Sequence, residues 1–193
     1  MAFYLMLWMA FIPEPCPAQS SPTDLTPQTL DKALEGLKSR NTRRIPFQET
    51  RRIPSLKTPM EFKGYLDFLL PDTLIKTVEK PMPATYILSS SEIRMTDGST
   101  GESQSLRPDA IPELAYIGSS LVSLLSGDKA ALLARWHVNL GGTIHHWAMS
   151  LVPLNQDSSG LRLVRIEGHD GDLQKLYFEG LDGSISTLAL GAP

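Results

Sequence analysis

Four histidines, one cysteine and one acidic turn are the places where this sequence could carry chemistry. An enzyme would need a nucleophile with a base beside it, or a cage of ligands around a metal ion. His145 and His146 are neighbours on a stretch that reads as a strand. They therefore point to opposite faces and cannot share one ion by the usual spacing. Gly168-His169-Asp170-Gly171-Asp172 suggests a calcium loop, but it lacks the distal glutamate and has the length of a hairpin turn. No Gly-x-Ser-x-Gly elbow, Walker loop or HExxH is present. Cys16 is the single cysteine, so neither an intrachain disulfide nor a thiolate metal site is expected. The expectation is a protein with no catalytic residue, no metal and no cofactor. A hydrolase would need a constellation that spacing does not reveal.

With catalysis unsupported, the question becomes what the chain could enclose. Its 193 residues suit one domain with a substantial core. Apolar residues make up 41% and charged residues 20%, the balance of a folded chain rather than a disordered one. The formal net charge is -3 and no basic stripe with interleaved aromatics appears, which argues against nucleic acid as a partner. Residues 1–12, MAFYLMLWMAFI, are uncharged and almost wholly apolar, yet shorter than the roughly 20 residues of a spanning helix. They fit the apolar part of a secretory signal, with Cys16 and Ala18 placed for cleavage before Gln19. No Lys or Arg precedes Lys32, so the basic flank usual for such a signal is missing. The expected organisation is a signal peptide over 1–18, a Ser, Pro and Thr-rich linker over 19–27, and one domain over 28–193.

Residues 64–81, GYLDFLLPDTLIKTVEKP, organise the rest. Leu66, Phe68 and Leu70 alternate with Tyr65, Asp67 and Leu69, the period of a strand with one buried face. Pro71-Asp72 breaks the run and a second strand follows to Pro81, giving a hairpin with Leu66, Phe68, Leu70, Leu74 and Val78 on one face. Before it, Thr26-Pro27 starts a helix carrying Leu30, Ala33, Leu34 and Leu37 on one side. A first strand is expected over 43–53, bracketed by Arg43, Arg44, Arg51 and Arg52, either as solvated flanks or as a docking patch.

Two short strands over 84–89 and 92–96 come next, then a polar loop over 99–108. A helix over 112–125 aligns Leu114, Ile117, Leu121, Leu124 and Leu125 in one stripe. Gly127 stops it, and Asp128 caps a second helix predicted to run to Trp136. From His137 the period returns to two. A hairpin turn at Gly141-Gly142 and a meander over 144–154, 161–167, 173–179 and 184–190 complete the chain.

About nine to eleven strands in one antiparallel sheet must curl. The predicted fold is mainly β with added helices: an incomplete barrel whose concave face is covered by a helical lid. Phe47, Leu66, Phe68, Leu70, Leu74, Val78, Tyr86, Leu88, Trp147, Met149 and Leu151 are the concave candidates. Leu114, Ile117, Leu121, Leu124 and Leu125 form the lid. Each acyl methylene taken from water contributes about 0.8 kcal/mol. Such a trough could hold a lipid chain with no catalytic group, although leucine and phenylalanine at these spacings more often fill a closed core.

Phe47-Gln48-Glu49 after a short helix, then Gly64-x-Leu66-x-Phe68-x-x-Pro71-x-x-Leu74 with Pro81, resemble the LolA-type periplasmic lipoprotein carriers. The divergent LolA-related proteins found beside fatty-acyl biosynthesis genes are the branch resembled most. The 91–98 hairpin, the helical PELAYIGSSLVSLLSG and the final meander follow in the family's order, so the resemblance spans residues 28–190. It implies a monomeric periplasmic carrier that takes the acyl chains of lipoproteins or other lipids. An inner-membrane transporter would hand over the cargo and an outer-membrane receptor would accept it. In the family an arginine before the hairpin proline latches the lid; Leu70 holds that position here. Lys76 stands where the family tends to have tryptophan, and would either face an anionic headgroup or reach out to water. The alternative is an interaction domain of an envelope assembly system that binds no lipid.

Overall fold

Strict alternation of inward and outward side chains decides the architecture. In the computed structural model, which describes residues 27–38, 44–69, 72–143 and 145–191, eleven strands form one sheet. They are β1 (Ile45–Arg52), β2 (Met60–Leu69), β3 (Thr73–Lys80), β4 (Ala84–Leu88), β5 (Ile93–Asp97) and β6 (Ser103–Leu106), then β7 (Trp136–Gly142), β8 (His146–Pro153), β9 (Leu161–His169), β10 (Asp172–Gly180) and β11 (Ile185–Leu190). The order across the sheet is β6-β5-β4-β3-β2-β1-β11-β10-β9-β8-β7. Every pairing is antiparallel. The first and last strands therefore meet in the middle, from Phe47 opposite Leu190 to Arg52 opposite Ile185. β6 and β7 are the two edges, so the sheet curls without closing into a barrel.

Helices cover the concave face. α1 (Pro27–Lys38) buries Leu30, Leu34 and Leu37, the stripe expected of it. α2 (Pro112–Ser126) joins the two halves of the sheet across its mouth. Proline opens α2 at a position whose N–H has no helical partner. Gly127 ends it at φ 72°, and the Asp128 N–H reaches back to the Ser123 carbonyl at 2.9 Å. The Asp128 carboxylate then caps α3 (Lys129–Leu133) by accepting the Ala131 N–H at 2.9 Å. Asn155 does the same for α4 (Gln156–Ser159), a short turn of helix where only a loop turn was expected.

Three other expectations need correction. α3 stops at Leu133, because the Arg135 carbonyl accepts the Leu154 N–H and Trp136 enters β7 opposite Pro153. Gly141 and Gly142 lie inside β7, paired with Ala148 and Trp147; the turn comes later, closed by the Thr143 N–H on the His146 carbonyl. The polar stretch after β5 contains β6, held on β5 by a hydroxyl contact of 2.8 Å between Thr96 and Ser103. The expected signal peptide, residues 19–26 of the expected linker, Cys16, Arg43, Leu70 and Pro71 lie outside the described residues; Pro27, the last of that linker, belongs to α1.

Candidate functional site

Inward positions of β1 to β4 and the underside of α2 enclose a cleft of about 380 Å³. Leu66, Leu74, Val78, Tyr86 and Leu88 rise into it from the sheet, and Leu114, Ile117 and Leu121 descend from the helix. Phe62 and Ile53 extend the wall, while Leu161, Leu176, Phe178 and Leu188 close it from the other half. Gly118 sets how near α2 can come. A Cβ there would lie 2.9 Å from the Leu88 Cδ2 and 3.2 Å from its Cβ, so a larger residue would require the Leu88 side chain to shift for the helix to approach β4 this closely. Further along α2, Arg135 donates to Ser119 Oγ at 3.1 Å, and Trp136 meets Tyr116 edge-on at 5.9 Å. These contacts tie the helix to β7.

The predicted residues divide between cleft and core. Phe47, Trp147, Met149, Leu151, Leu124 and Leu125 are buried in the core and do not line the cleft. Phe68 packs partly buried against that core. Trp147 explains its own burial. Its partner across β8 and β9 is Gly168, where a Cβ would come within 2.1 Å of the indole, so the ring lies flat on bare backbone.

One wall of the cleft carries charge. Glu49, on the inward phase of β1 between Phe47 and Arg51, is buried. Its Oε2 accepts the Lys76 ammonium, while Oε1 accepts Arg51 Nη2 at 2.7 Å and Ser186 Oγ at 2.5 Å. Lys76 arrives from β3, crossing β2 where Gly64 stands between Phe62 and Leu66 on the inward face, and passes 5.0 Å over the Phe47 ring. Arg51 covers the Phe62 ring at 5.1 Å. Burial alone would push the Glu49 carboxyl up, but the charges of Lys76 and Arg51 with the hydrogen bonds from Lys76 and Ser186 hold it below the usual carboxylate range. Lys76 thus meets an internal carboxylate. Sequence reading assigns Arg51 to a strand flank or docking patch and misses Glu49 and Ser186 as parts of this wall, although a carboxylate on the apolar phase of a strand is a visible signal.

Three of the four histidines converge at the other end of the sheet, while His137 lies apart on β7 opposite Val152. His145 Nδ1 lies 2.5 Å and His169 Nε2 3.0 Å from the Asp170 carboxylate, and the rings of His146 and His169 meet at 4.2 Å. A hydrogen bond from His145, with the nearby imidazoles, holds Asp170 below the ordinary aspartate value. Asp170 and Gly171, at φ 48° and 81°, form the two-residue hairpin turn between β9 and β10 expected in place of a calcium loop. Among the described residues no group of three or more His, Cys, Asp or Glu is arranged to hold a metal ion.

Residues 25–192 match the family described as outer membrane lipoprotein carrier protein LolA-like. The solved structure of a LolA superfamily protein from Nitrosomonas europaea is similar at 8% identity and a TM-score of 0.44, covering 87% of this chain and 92% of that one. A putative outer membrane lipoprotein-sorting protein domain from Vibrio parahaemolyticus has 9% identity and a TM-score of 0.44, over 84% and 92% of the two chains. A DUF1329 family protein from Desulfovibrio piger has 9% identity and a TM-score of 0.47, over 87% and 92%. None of the curated proteins matches the chain. The match over residues 25–192 places the chain in the LolA-like family.

Proposed function

We propose that this member of the LolA-like family is a periplasmic carrier that holds acyl chains of lipoproteins or other lipids beneath α2 and moves them towards the outer membrane. The observation that carries the reading is the apolar cleft left between the concave side of β2 to β4 and the N-terminal half of α2. A chain buried there over a dozen carbons gains about 10 kcal/mol gross, before the cost of parting the helix from the sheet and ordering the chain. Leu66, Leu74, Val78, Tyr86 and Leu88 are the proposed walls, with Leu114, Ile117 and Leu121 as the lid. The proposed partners are an inner-membrane transporter that loads the carrier and an outer-membrane receptor that unloads it.

The test is chemical. Protein secreted by its own host and extracted with organic solvent should yield acyl species by mass spectrometry, in amounts that fall when Ile117→Glu places a charge in the cleft. Repeated absence of acyl species, together with failure to bind a neutral apolar fluorophore, would reject the carrier and favour a lipid-free interaction domain.

A further inference from the structure

The charged wall of the cleft bears on what kind of lipid enters. We infer that the cleft selects a single-chain amphiphile with an anionic head, a carboxylate or phosphate monoester set against Arg51 and Lys76. This rests on the carrier reading above and goes past it by naming the head and the number of chains.

Accessibility orders the charges. Side-chain exposure falls from 41% at Arg51 to 18% at Lys76 and 1% at Glu49. A molecule entering the cleft therefore meets the two cations, with the carboxylate sealed behind them. At Glu49 itself two cations face one carboxylate. Asp182 also lines the cleft, but it sits on the exposed turn before β11, where its Oδ1 accepts the Ser184 N–H at 2.8 Å.

Donor capacity points the same way. Arg51 directs Nε and Nη2 at Glu49 Oε1, leaving Nη1 without a partner among the described residues. Lys76 has three N–H donors and makes one ion pair, with Glu49. A carboxylate or phosphate oxygen at the mouth would take up these donors in charge-assisted hydrogen bonds. A neutral head would leave them to water. Size supplies the second half of the inference: about 380 Å³ is at the small end of the roughly 300–1,000 Å³ typical of small-molecule sites, room for one chain rather than several.

The experiment is competitive displacement of N-phenyl-1-naphthylamine, a neutral apolar fluorophore, near neutral pH. Competitors are dodecanoate, dodecyl phosphate, dodecanol, dodecyltrimethylammonium and inorganic phosphate. The two anionic amphiphiles should displace the probe at concentrations about tenfold lower than dodecanol. In Arg51→Gln the advantage should shrink to about threefold or less, with dodecanol unchanged. Inorganic phosphate alone should do nothing. Equal displacement by dodecanoate and dodecanol, stronger displacement by the cationic amphiphile, or displacement by inorganic phosphate would each overturn the inference while leaving an apolar carrier intact. Failure of the probe and of every amphiphile to bind would overturn the carrier itself. Should Arg51→Gln not fold, the comparison of dodecanoate with dodecanol on the unmodified protein decides alone.

Discussion

The two wings of the sheet are built alike and end differently. In β7 to β9 most inward residues meet each other: Trp136, Leu140, Trp147, Met149, Leu151, Val164 and Ile166 are all buried and none lines the cleft. In β2 to β4 the same alternation buries Leu66, Leu74, Val78 and Leu88 but leaves Phe62, Lys76 and Tyr86 half-buried around a cleft. α2 is responsible for the asymmetry. Leu124 and Leu125 sink into the core, while Leu114 and Ile117 stay half-buried over open space. Where the closed wing has an apolar layer, the open one has an ion pair. Alternation tells a side chain to face inward; only the distance to the covering helix decides whether the inside is filled.

The sharpest way to break this contrast is to empty the closed wing. Trp147→Ala should cost about 3–5 kcal/mol in urea unfolding, because the indole fills space that Gly168 leaves for it. Probe binding by the molecules that remain folded should be unchanged. A loss of binding without a loss of stability would mean that the wings have been assigned the wrong way round.

Next in size is the charged wall. Lys76→Met leaves Glu49 buried with only Arg51 and Ser186, and should cost about 3 kcal/mol. The double replacement Glu49→Leu with Lys76→Met should return close to the stability of the parent, since an apolar pair of similar size removes the desolvation penalty. A double variant as unstable as the single one would show that the wall needs its charges for folding.

Acid should separate the wings by a smaller amount. The folded protein holds Glu49 below its ordinary value of 4.5, so it binds fewer protons there than the unfolded chain. The contribution of Glu49 is complete above that value and is lost as pH falls through the lowered one. Unfolding measured against pH should show this slope, and the double replacement should flatten it. The smallest effect is expected at Ile117→Ala. Half-exposed over the cleft, it should cost about 1 kcal/mol of stability but weaken probe binding about threefold or more.

The sequence was most informative where a side chain's fate is local. Residues 64–81 and the final meander announce their strands because an inward residue at every second position is a property of the strand itself. α2 was equally plain, from its leucine stripe, opening proline and closing glycine. Errors arose where a distant partner decides. Trp136 continues a helical pattern, yet pairing of β7 with β8 claims it. β6 has no apolar phase to read, since it is a polar edge with only one neighbour. Phe47, Trp147 and Met149 carry the same inward signature as Leu74 and Tyr86, and nothing in their spacing distinguishes core from cleft. Glu49 stands out in the sequence only as a carboxylate in an apolar phase, and the cations that explain it come from β3 and from its own strand.

The seam between β1 and β11 has a consequence for how the chain reaches this shape. Glu49 and Ser186, bonded across that seam, are 137 positions apart. A nascent chain can assemble the hairpins from β1 to β6 as they emerge, but the outer side of β1 stays bare until the final strand arrives. Closing so long a loop is slow. Meanwhile a raw backbone edge invites adhesion to other chains. Loss of the last six-residue strand would therefore split the protein along its midline instead of trimming a border.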